Sequence, residues 1–348
     1  MNHTAARSLP DGALAARAPR VISPPLAMFA PTRILAPVDF SEGSEAALRW
    51  AVDLAQRTGA ELHVLHVESG SAFGGETSGD ASLAGGRSLR VPDRDRSGDD
   101  LAALIDRVPT GEVLVTRARA HGRPSREVLD YAEREGADLV VMGTRGRRGL
   151  RRLLLGSVAG EVLRRARVPV LVVPETAPLG PVRLVLAPTD FSDAARQTLP
   201  IAAGLAALHG ADLELVHALE PVRAVRVTIP AGAIPGLSDG ARCRLRAMAG
   251  DPALTAELGS GKATGVAHEE GGVLVAARPP TKIGHHLIEG YAPEAIVGYA
   301  RSRGADAVVM ARRGLTGVER LLLGSVTERV CQLGPCPVLV VPPETPGA

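Results

Sequence analysis

Glycines recur at a fixed spacing in two places where the chain passes from an apolar run into a helical pattern. The first stretch, at 143–158, reads GTRGRRGLRRLLLGSV, and the second, at 311–326, reads ARRGLTGVERLLLGSV. Glycine-rich turns bring backbone N–H groups against phosphate oxygens, and the positive end of the following helix favours the same anion. The pattern predicts two phosphate-binding turns of unequal quality, because alanine replaces the first glycine of the second copy.

The first copy follows the pattern Gly143-x2-Gly146-x9-Gly156-Ser157. Gly143 comes directly after the apolar run ADLVVM, at the carboxyl end of a predicted strand, where open α/β sheets bind ligands. Gly156 and Ser157 begin the helical pattern VAGEVLRRA, so Ser157 adds a hydroxyl donor to the N–H groups of that helix. Arg145 inside the turn is a candidate phosphate contact. The alternative for the basic run at 145–152 is a solvent-exposed segment that leads into the helix.

The repetition extends far beyond the glycine turn and divides the chain into two halves with matching sequences. RILAPVDFSEGSEAAL at 33–48 matches RLVLAPTDFSDAARQTL at 183–199, and GAELHVLHV at 59–67 matches GADLELVHA at 210–218. GADLVVMG at 136–143 matches GADAVVMA at 304–311, and VPVLVVP at 168–174 matches CPVLVVP at 336–342. Short apolar runs that alternate with helical stretches predict an α/β fold with a Rossmann-like, doubly wound parallel sheet in each half.

Local signals mark the ends of the predicted helices. Ser41 and Ser192 are suited to cap a helix N-terminus, and an acidic residue follows each of them. Glycines stand where helices need a left-handed stop before the next strand, at Gly59, Gly136, Gly210 and Gly304.

The bulk composition excludes several classes of protein. The 348 residues include 40 basic and 38 acidic ones, so the net charge of +2 gives no strong field for nucleic acid or anionic membranes. Eight aromatic residues provide few stacking platforms, and no apolar run approaches the roughly 18 residues of a membrane span. Three cysteines fit a reducing compartment. We therefore expect a cytoplasmic protein without nucleic-acid or membrane partners.

The predicted domain organisation has four parts. Residues 1–27 form a disordered leader, 28–175 the first domain, 176–181 a linker and 182–343 the second domain. Met28, just before the first strand, is an alternative translation start. Two segments differ between the halves: a Gly/Ser/Asp-rich loop at 69–98, followed by a short helix near 99–108, and a longer insertion at 219–281.

The two halves resemble tandem domains of the universal stress protein family, in its adenine-nucleotide-binding branch. APVDFS, LHV, the G-x2-G-x9-G-S turn and the closing VPVLVVP carry the resemblance, which covers most of residues 31–343. It implies two tandem five-stranded sheets of the adenine nucleotide alpha hydrolase-like type. It also implies ATP as the ligand, with or without Mg²⁺.

The resemblance also assigns roles to positions of the first half. It implies that Asp39 bonds the ribose or the adenine edge, that Pro37 and Val38 wall the base, and that Val67 offers backbone to the adenine. Met142 and Gly143 would lie along the ribose. The phosphates would be held by the remaining matched positions, Gly146, Gly156, Ser157 and Val158. A helix-capping carboxylate is the alternative explanation of Asp39.

The second half keeps a weaker version of this set. Its matched positions are Pro188, Asp190, Gly314, Gly324 and Ser325. Ala311 takes the place of the first glycine, where a methyl group is expected to intrude on the ligand and to disfavour positive φ. We therefore expect one nucleotide per chain, with a turn that only links strand to helix as the alternative for the second half.

Other candidate sites are weaker. GSGKAT at 259–264 lacks the spacing of a P-loop and is interpreted as a surface turn. His285, His286, Cys331 and Cys336 do not complete a zinc pattern, so structural roles are favoured. The sequence contains no Ser-His-Asp order and no Walker-type lysine, so we expect a binding protein rather than an enzyme, with at most slow ATP hydrolysis.

The sequence thus predicts an ATP-binding tandem stress-response protein that acts as a nucleotide-dependent sensor or switch toward an unidentified protein partner. A scaffold that uses no nucleotide and a slow ATP hydrolase are the alternatives. The closing strands are apolar enough to be a liability at an open edge, and the resemblance implies that they pair with each other within the chain. Dimerisation between chains remains a further option.

Overall fold

The computed structural model describes residues 29–68, 96–146, 155–224, 227–229, 237–250, 282–314 and 323–343. The first half contains five strands and four helices in strict alternation among these residues. In chain order they are β1 (Arg33–Val38), α1 (Glu42–Thr58), β2 (Glu61–Glu68), α2 (Arg96–Asp106), β3 (Val115–His121), α3 (Pro124–Glu135), β4 (Leu139–Gly143), α4 (Ser157–Arg165) and β5 (Val170–Val173). The short helix expected near 99–108 is confirmed as α2, shifted toward the N-terminus by two to three residues.

The second half repeats this order with two changes. Its elements are β6 (Leu184–Pro188), α5 (Asp193–Gln197), α6 (Leu199–His209), β7 (Asp212–Leu219), β8 (Val222–Ala224), β9 (Val227–Ile229), α7 (Leu237–Ala249), β10 (Ile283–Glu289), α8 (Ala292–Arg303), β11 (Ala307–Ala311), α9 (Ser325–Leu333) and β12 (Val338–Val341). The helix that corresponds to α1 is broken into α5 and α6, because Pro200 lacks an N–H and crowds the preceding turn. The insertion contributes the antiparallel β8–β9 hairpin and α7.

The strands form one ten-stranded sheet from two parallel halves. The strand order is β3-β2-β1-β4-β5 in the first half and β10-β7-β6-β11-β12 in the second. The halves meet where β5 and β12 pair antiparallel, with Val172 opposite Val338 and Val170 opposite Val340. The predicted pairing of the closing strands is therefore confirmed, and the two expected five-stranded sheets are continuous.

The helix ends follow the signals in the sequence. The Ser41 side chain accepts a hydrogen bond from the backbone N–H of Ser44, and Ser192 does the same for Ala195. The four predicted stop glycines all adopt left-handed conformations, with φ of 70° at Gly59, 66° at Gly136, 66° at Gly210 and 64° at Gly304. Both groups of predictions are confirmed.

The core lies on both faces of the sheet. Neighbouring residues of β1 show this, since Ile34 belongs to an apolar cluster with residues of α1, α2 and α6, whereas Leu35 belongs to a second cluster with residues of α3 and α4. The burial of strands on both faces explains why their sequences are continuous apolar runs rather than alternating ones. Within the described residues, no helix has the length and hydropathy needed to cross a membrane.

A half-buried histidine, His209, with both ring nitrogens buried, lies at the end of α6, at the position that Thr58 occupies in α1. Neither ring nitrogen of His209 has a hydrogen-bond partner in the described part of the chain. Burial lowers the pKa of His209 to about 4, and the Arg57 charge acts in the same direction, while Asp53 and Asp306 oppose it. Since Arg57 and Asp53 belong to α1, this group senses charges of the first half.

The leader at 1–27 lies outside the described residues, as do 69–95, 147–154 and 251–281. Of the basic run at 145–152, only residues 145 and 146 are therefore described. The predicted surface turn at 259–264 falls among them. Of the cysteines, Cys331 and Cys336 are buried and Cys243 is exposed, and all three are free thiols. His286 lies near Glu214, with its Nε2 at 3.6 Å from a carboxylate oxygen.

Candidate functional site

The carboxyl ends of β1 and β4 place the predicted site residues next to each other. These strands are neighbours in the sheet, and the connections that leave them run to α1 on one face and α4 on the other. Such a divergence opens a crevice in which doubly wound folds bind ligands. Asp39 follows β1, while Met142 and Gly143 close β4.

A tight turn fixes the Asp39 carboxylate. Its Oδ1 accepts hydrogen bonds from the backbone N–H of Ser41 at 3.1 Å and from the Ser41 hydroxyl at 2.6 Å. A Cβ atom built on Gly146 would collide with Asp39 Oδ2. The carboxylate therefore lies against the glycine turn that follows β4, with Oδ2 on the side of that turn. Asp39 does help to organise the start of α1, as the alternative interpretation held, because its Oδ1 accepts from the capping residue Ser41.

The N-terminus of α4 is held against the same turn. The Gly156 N–H donates to the Thr144 carbonyl at 2.8 Å, and a Cβ on Gly156 would lie 3.1 Å from that oxygen and 3.3 Å from Arg145 Cα. Ser157 is the first helical residue, and its side chain is exposed. The first N–H groups of a helix have no partner inside the helix, so this end presents donors and a partial positive charge beside the Gly146 turn.

The walls of the crevice are apolar and buried. Val38 is 4 % exposed, Met142 5 % and Val67 9 %, while Pro37 is half-buried. Val67 stands one residue beyond His66, which pairs with Val38 across the β1–β2 ladder. Val158, in the first turn of α4, is half-buried. The site thus combines an apolar wall, one carboxylate and an anion-attracting helix end.

The structure corrects the reason given for Gly143. Its φ is not positive, so the expectation that alanine would be disfavoured by backbone conformation is wrong. A Cβ on Gly143 would lie only 2.9 Å from the backbone C and O atoms of Gly43, in the first turn of α1. The glycine is required by the close approach of α1, and Gly43 was missed because its partner lies a hundred residues away in sequence.

The second half reproduces most of the geometry. Asp190 Oδ1 accepts from the Ser192 N–H at 3.0 Å and from its hydroxyl at 2.6 Å, and a Cβ on Gly314 would collide with Asp190 Oδ2. The Gly324 N–H donates to the Arg312 carbonyl at 2.9 Å. Pro188 is buried at the end of β6, and Ser325 is exposed at the start of α9.

Three substitutions distinguish this second site. The glycine pair Gly43 and Gly143 of the first half is replaced by Ala194 and Ala311, so both helix and strand carry a methyl group. Arg312 replaces Thr144, and its buried guanidinium donates through Nη1 to the Ala166 carbonyl, at the end of α4, at 2.8 Å. Burial, with the Arg313 charge as a second cause, lowers the pKa of Arg312. A charged side chain from the second turn therefore anchors a helix of the first half.

The fold and the site define a class: a doubly wound α/β protein with two tandem units, each with a glycine turn and an aspartate at the carboxyl edge of its sheet. The sequence model of the universal stress protein family matches residues 31–174 and 181–342. The chain belongs to the universal stress protein family.

Individual relatives agree with this assignment. A universal stress protein of Methanocaldococcus jannaschii is 33% identical over 142 residues, which cover 40% of this chain and 81% of that protein. One of Bacillus subtilis is 32% identical over 151 residues, covering 40% of this chain and 97% of that protein. A universal stress protein structure from Archaeoglobus fulgidus covers 89% of this chain and 98% of its own, with a TM-score of 0.56 and 21% identity. That similarity shows a shared fold along both halves.

Proposed function

We propose that the chain is a stress-response protein that binds ATP in its first half and acts as a nucleotide-dependent sensor or switch. The observation that carries this proposal is the meeting of the Asp39 carboxylate, the Gly146 turn and the N-terminus of α4 at one edge of the sheet. A nucleotide presents hydroxyls at the ribose, anionic oxygens at the phosphates and an apolar face at the base. Each of these has a chemical counterpart in the site.

Specific roles follow from position. The oxygen Asp39 Oδ2 is suited to accept from a ribose hydroxyl or from the amino edge of the base. The N–H groups at Gly146, Ser157 and Val158, with the Ser157 hydroxyl, are suited to donate to phosphate oxygens. Gly156, whose own N–H donates to the Thr144 carbonyl, would hold the start of the helix beside the phosphates. Any Mg²⁺ would be carried by the phosphates themselves. Pro37, Val38, Val67 and Met142 would line the base and the ribose, with Arg145 near the phosphates.

The second half is proposed as a weaker site that mainly supports the first. It keeps the Asp190 turn and the Gly324–Ser325 helix start. The difference lies in the position of the helix, since a pair of alanines cannot approach as closely as Gly43 approaches Gly143. We therefore expect one tightly bound nucleotide per chain.

The direct test is calorimetric titration of the purified protein with ATP, accompanied by native mass spectrometry of freshly purified material. The expected result is one ATP per chain for the unmodified protein and a loss of at least tenfold in affinity for Asp39→Ala. Asp130→Ala, an exposed carboxylate on α3, serves as the control and should bind as before. Asp190→Ala should remove any weaker second binding event. The proposal would be refuted if the protein is purified without any adenine nucleotide and the titration shows no binding of ATP.

Two further measurements separate the alternatives. A ligand that binds only the folded state must raise the melting temperature, so an unchanged melting temperature at millimolar ATP would favour a scaffold that uses no nucleotide. Phosphate release above that of Asp39→Ala would instead support a slow hydrolase. AMP and cAMP, used as competitors, would establish which adenine nucleotide the site prefers.

A further inference from the structure

Two aromatic residues occupy a backbone conformation that side chains rarely tolerate. Among the described residues, Phe40 and Phe191 are the non-glycine residues with positive φ, at 62° and 65°. A left-handed conformation of this kind costs about 1–3 kcal/mol and persists only where the surroundings enforce it. Each phenylalanine directly follows the site aspartate of its half, so the enforced conformation belongs to the turn that carries the carboxylate.

A histidine on the adjacent strand contacts each of these turns. In the first half, the His66 ring lies 4.4 Å from the Phe40 ring, centroid to centroid, with 43° between their planes. In the second half, the His217 and Phe191 rings lie 4.3 Å apart at 39°. The geometry is therefore repeated, although α5–α6 and α7 make the surroundings of the second turn different.

The same histidines also hold the backbone just before each aspartate. His66 Nδ1 lies 2.8 Å from the Val38 carbonyl oxygen, and His217 Nδ1 lies 2.8 Å from that of Thr189. A carbonyl oxygen can only accept, so Nδ1 must carry the hydrogen. In the neutral ring Nε2 is then an acceptor, and the tautomer is fixed by this bond.

The histidine thus contacts the residue before the aspartate and the residue after it. It donates to the carbonyl of residue 38, and its ring packs against the side chain of residue 40. Between them, Asp39 turns so that Oδ1 faces Ser41 and Oδ2 faces Gly146. Loss of the hydrogen bond to residue 38 would let the carboxylate rotate away from the glycine turn, whereas the ring contact adds packing to the turn.

We propose that His66 is a positioning residue for the nucleotide site, because it fixes the left-handed turn that aims Asp39 at the ligand, and that His217 does the same for Asp190. The functional part of the proposal, that the turn aims Asp39 at a ligand, rests on the proposed nucleotide function. Its structural part, the Nδ1–H tautomer and the turn that it holds, concerns the protein without ligand.

The structural part is tested by ¹⁵N NMR of the histidine rings in nucleotide-free protein, with assignment by the His66→Asn and His217→Asn variants. The expected spectrum shows both rings as neutral Nδ1–H tautomers, with the Nδ1 protons protected from exchange. Nε2–H tautomers at these two residues would overturn the proposal, whether or not the protein binds any nucleotide.

The functional part is tested by ATP titration of matched variants. His66→Phe keeps a ring against Phe40 but lacks the donor, and should weaken binding about tenfold. His66→Asn keeps an N–H at the Nδ1 position, and should remain within about threefold of the unmodified protein. His121→Leu, an exposed histidine on β3, is the control and should bind as before.

A double-mutant cycle separates positioning from general destabilisation. If His66 acts through the carboxylate, adding His66→Phe to Asp39→Ala should change affinity by less than about twofold. Equal losses for the Phe and Asn variants, or a full tenfold further loss in the Asp39→Ala background, would overturn the proposal. If no variant and no unmodified protein binds ATP, the proposed function fails, and the tautomer result still decides the structural part.

Discussion

An alanine at position 143 would place a methyl group where the first turn of α1 already lies. The added Cβ would be 2.9 Å from the backbone C and O of Gly43, and 3.3 Å from the Arg145 carbonyl oxygen. Ordinary contact begins near 3.4 Å, so α1 or β4 must move by about half an ångström. The obstacle is backbone on both sides, and no flexible side chain can give way.

The magnitude follows from two opposing effects. Overpacking a well-packed region costs about 1–3 kcal/mol, whereas alanine at a position without strain recovers about 0.4–1 kcal/mol by restricting the unfolded chain. We expect Gly143→Ala to lower the free energy of unfolding by about 1–2 kcal/mol, the difference between those two effects. Urea denaturation followed by circular dichroism measures the change.

Gly298 provides the matched control. It lies in α8, and a Cβ built there has no neighbouring heavy atom within 4 Å. Gly298→Ala should therefore raise the free energy of unfolding by about 0.5–1 kcal/mol, as expected for glycine in an open helix position. If Gly143→Ala stabilises the protein by a similar amount, the close approach of α1 to β4 is not a constraint, and our explanation of this glycine is wrong.

Two further predictions concern buried groups. Burial raises the pKa values of Cys331 and Cys336 to about 12, so a thiol reagent at pH 8 should label Cys243 alone in the folded protein and all three cysteines after denaturation. Labelling of more than one thiol in the folded state would contradict this. The pKa of His209, lowered to about 4 by burial, means that the unfolded chain takes up a proton first as the pH falls. Stability should therefore fall by up to about 3 kcal/mol between about pH 6.5 and pH 4, and His209→Thr should flatten that part of the profile. An unchanged slope in the variant would show that His209 is not responsible.

Local signals allowed the elements to be predicted closely. Ser41 and Ser192 cap helices, and the four stop glycines end them. These helix ends were predictable because each one depends on a few neighbouring residues. The pairing of the closing strands was predictable because VPVLVV and CPVLVV are apolar for open edges and the family resemblance implied that they pair. The break between α5 and α6 was not predicted, although Pro200 gives it a visible cause in the sequence.

The candidate site was predictable as a set of positions but not in its internal contacts. Repetition pointed to Asp39, Gly146 and the Gly156 helix start, and the structure brings these together. The roles of Gly43 and His66 depend on contacts between distant segments, which no local pattern encodes. A signal was nevertheless present for His66, since a histidine recurs at 217 in the second copy together with the Phe that it contacts. A residue that recurs in both copies without a role in a local turn or helix end indicates a contact between distant segments.

The antiparallel contact between β5 and β12 is made within a single polypeptide. The halves are tethered by the ten residues between β5 and β6, so their effective concentration relative to each other is of millimolar order or above, whatever the amount of protein in the cell. Dilution or a change in expression therefore cannot separate them. Fusion also fixes the partnership at one copy of each half, which leaves the second half free to diverge. If the two halves were separate domains that could pair with any copy, half of the subunits in the pool would lack the insertion and the Arg312 anchor.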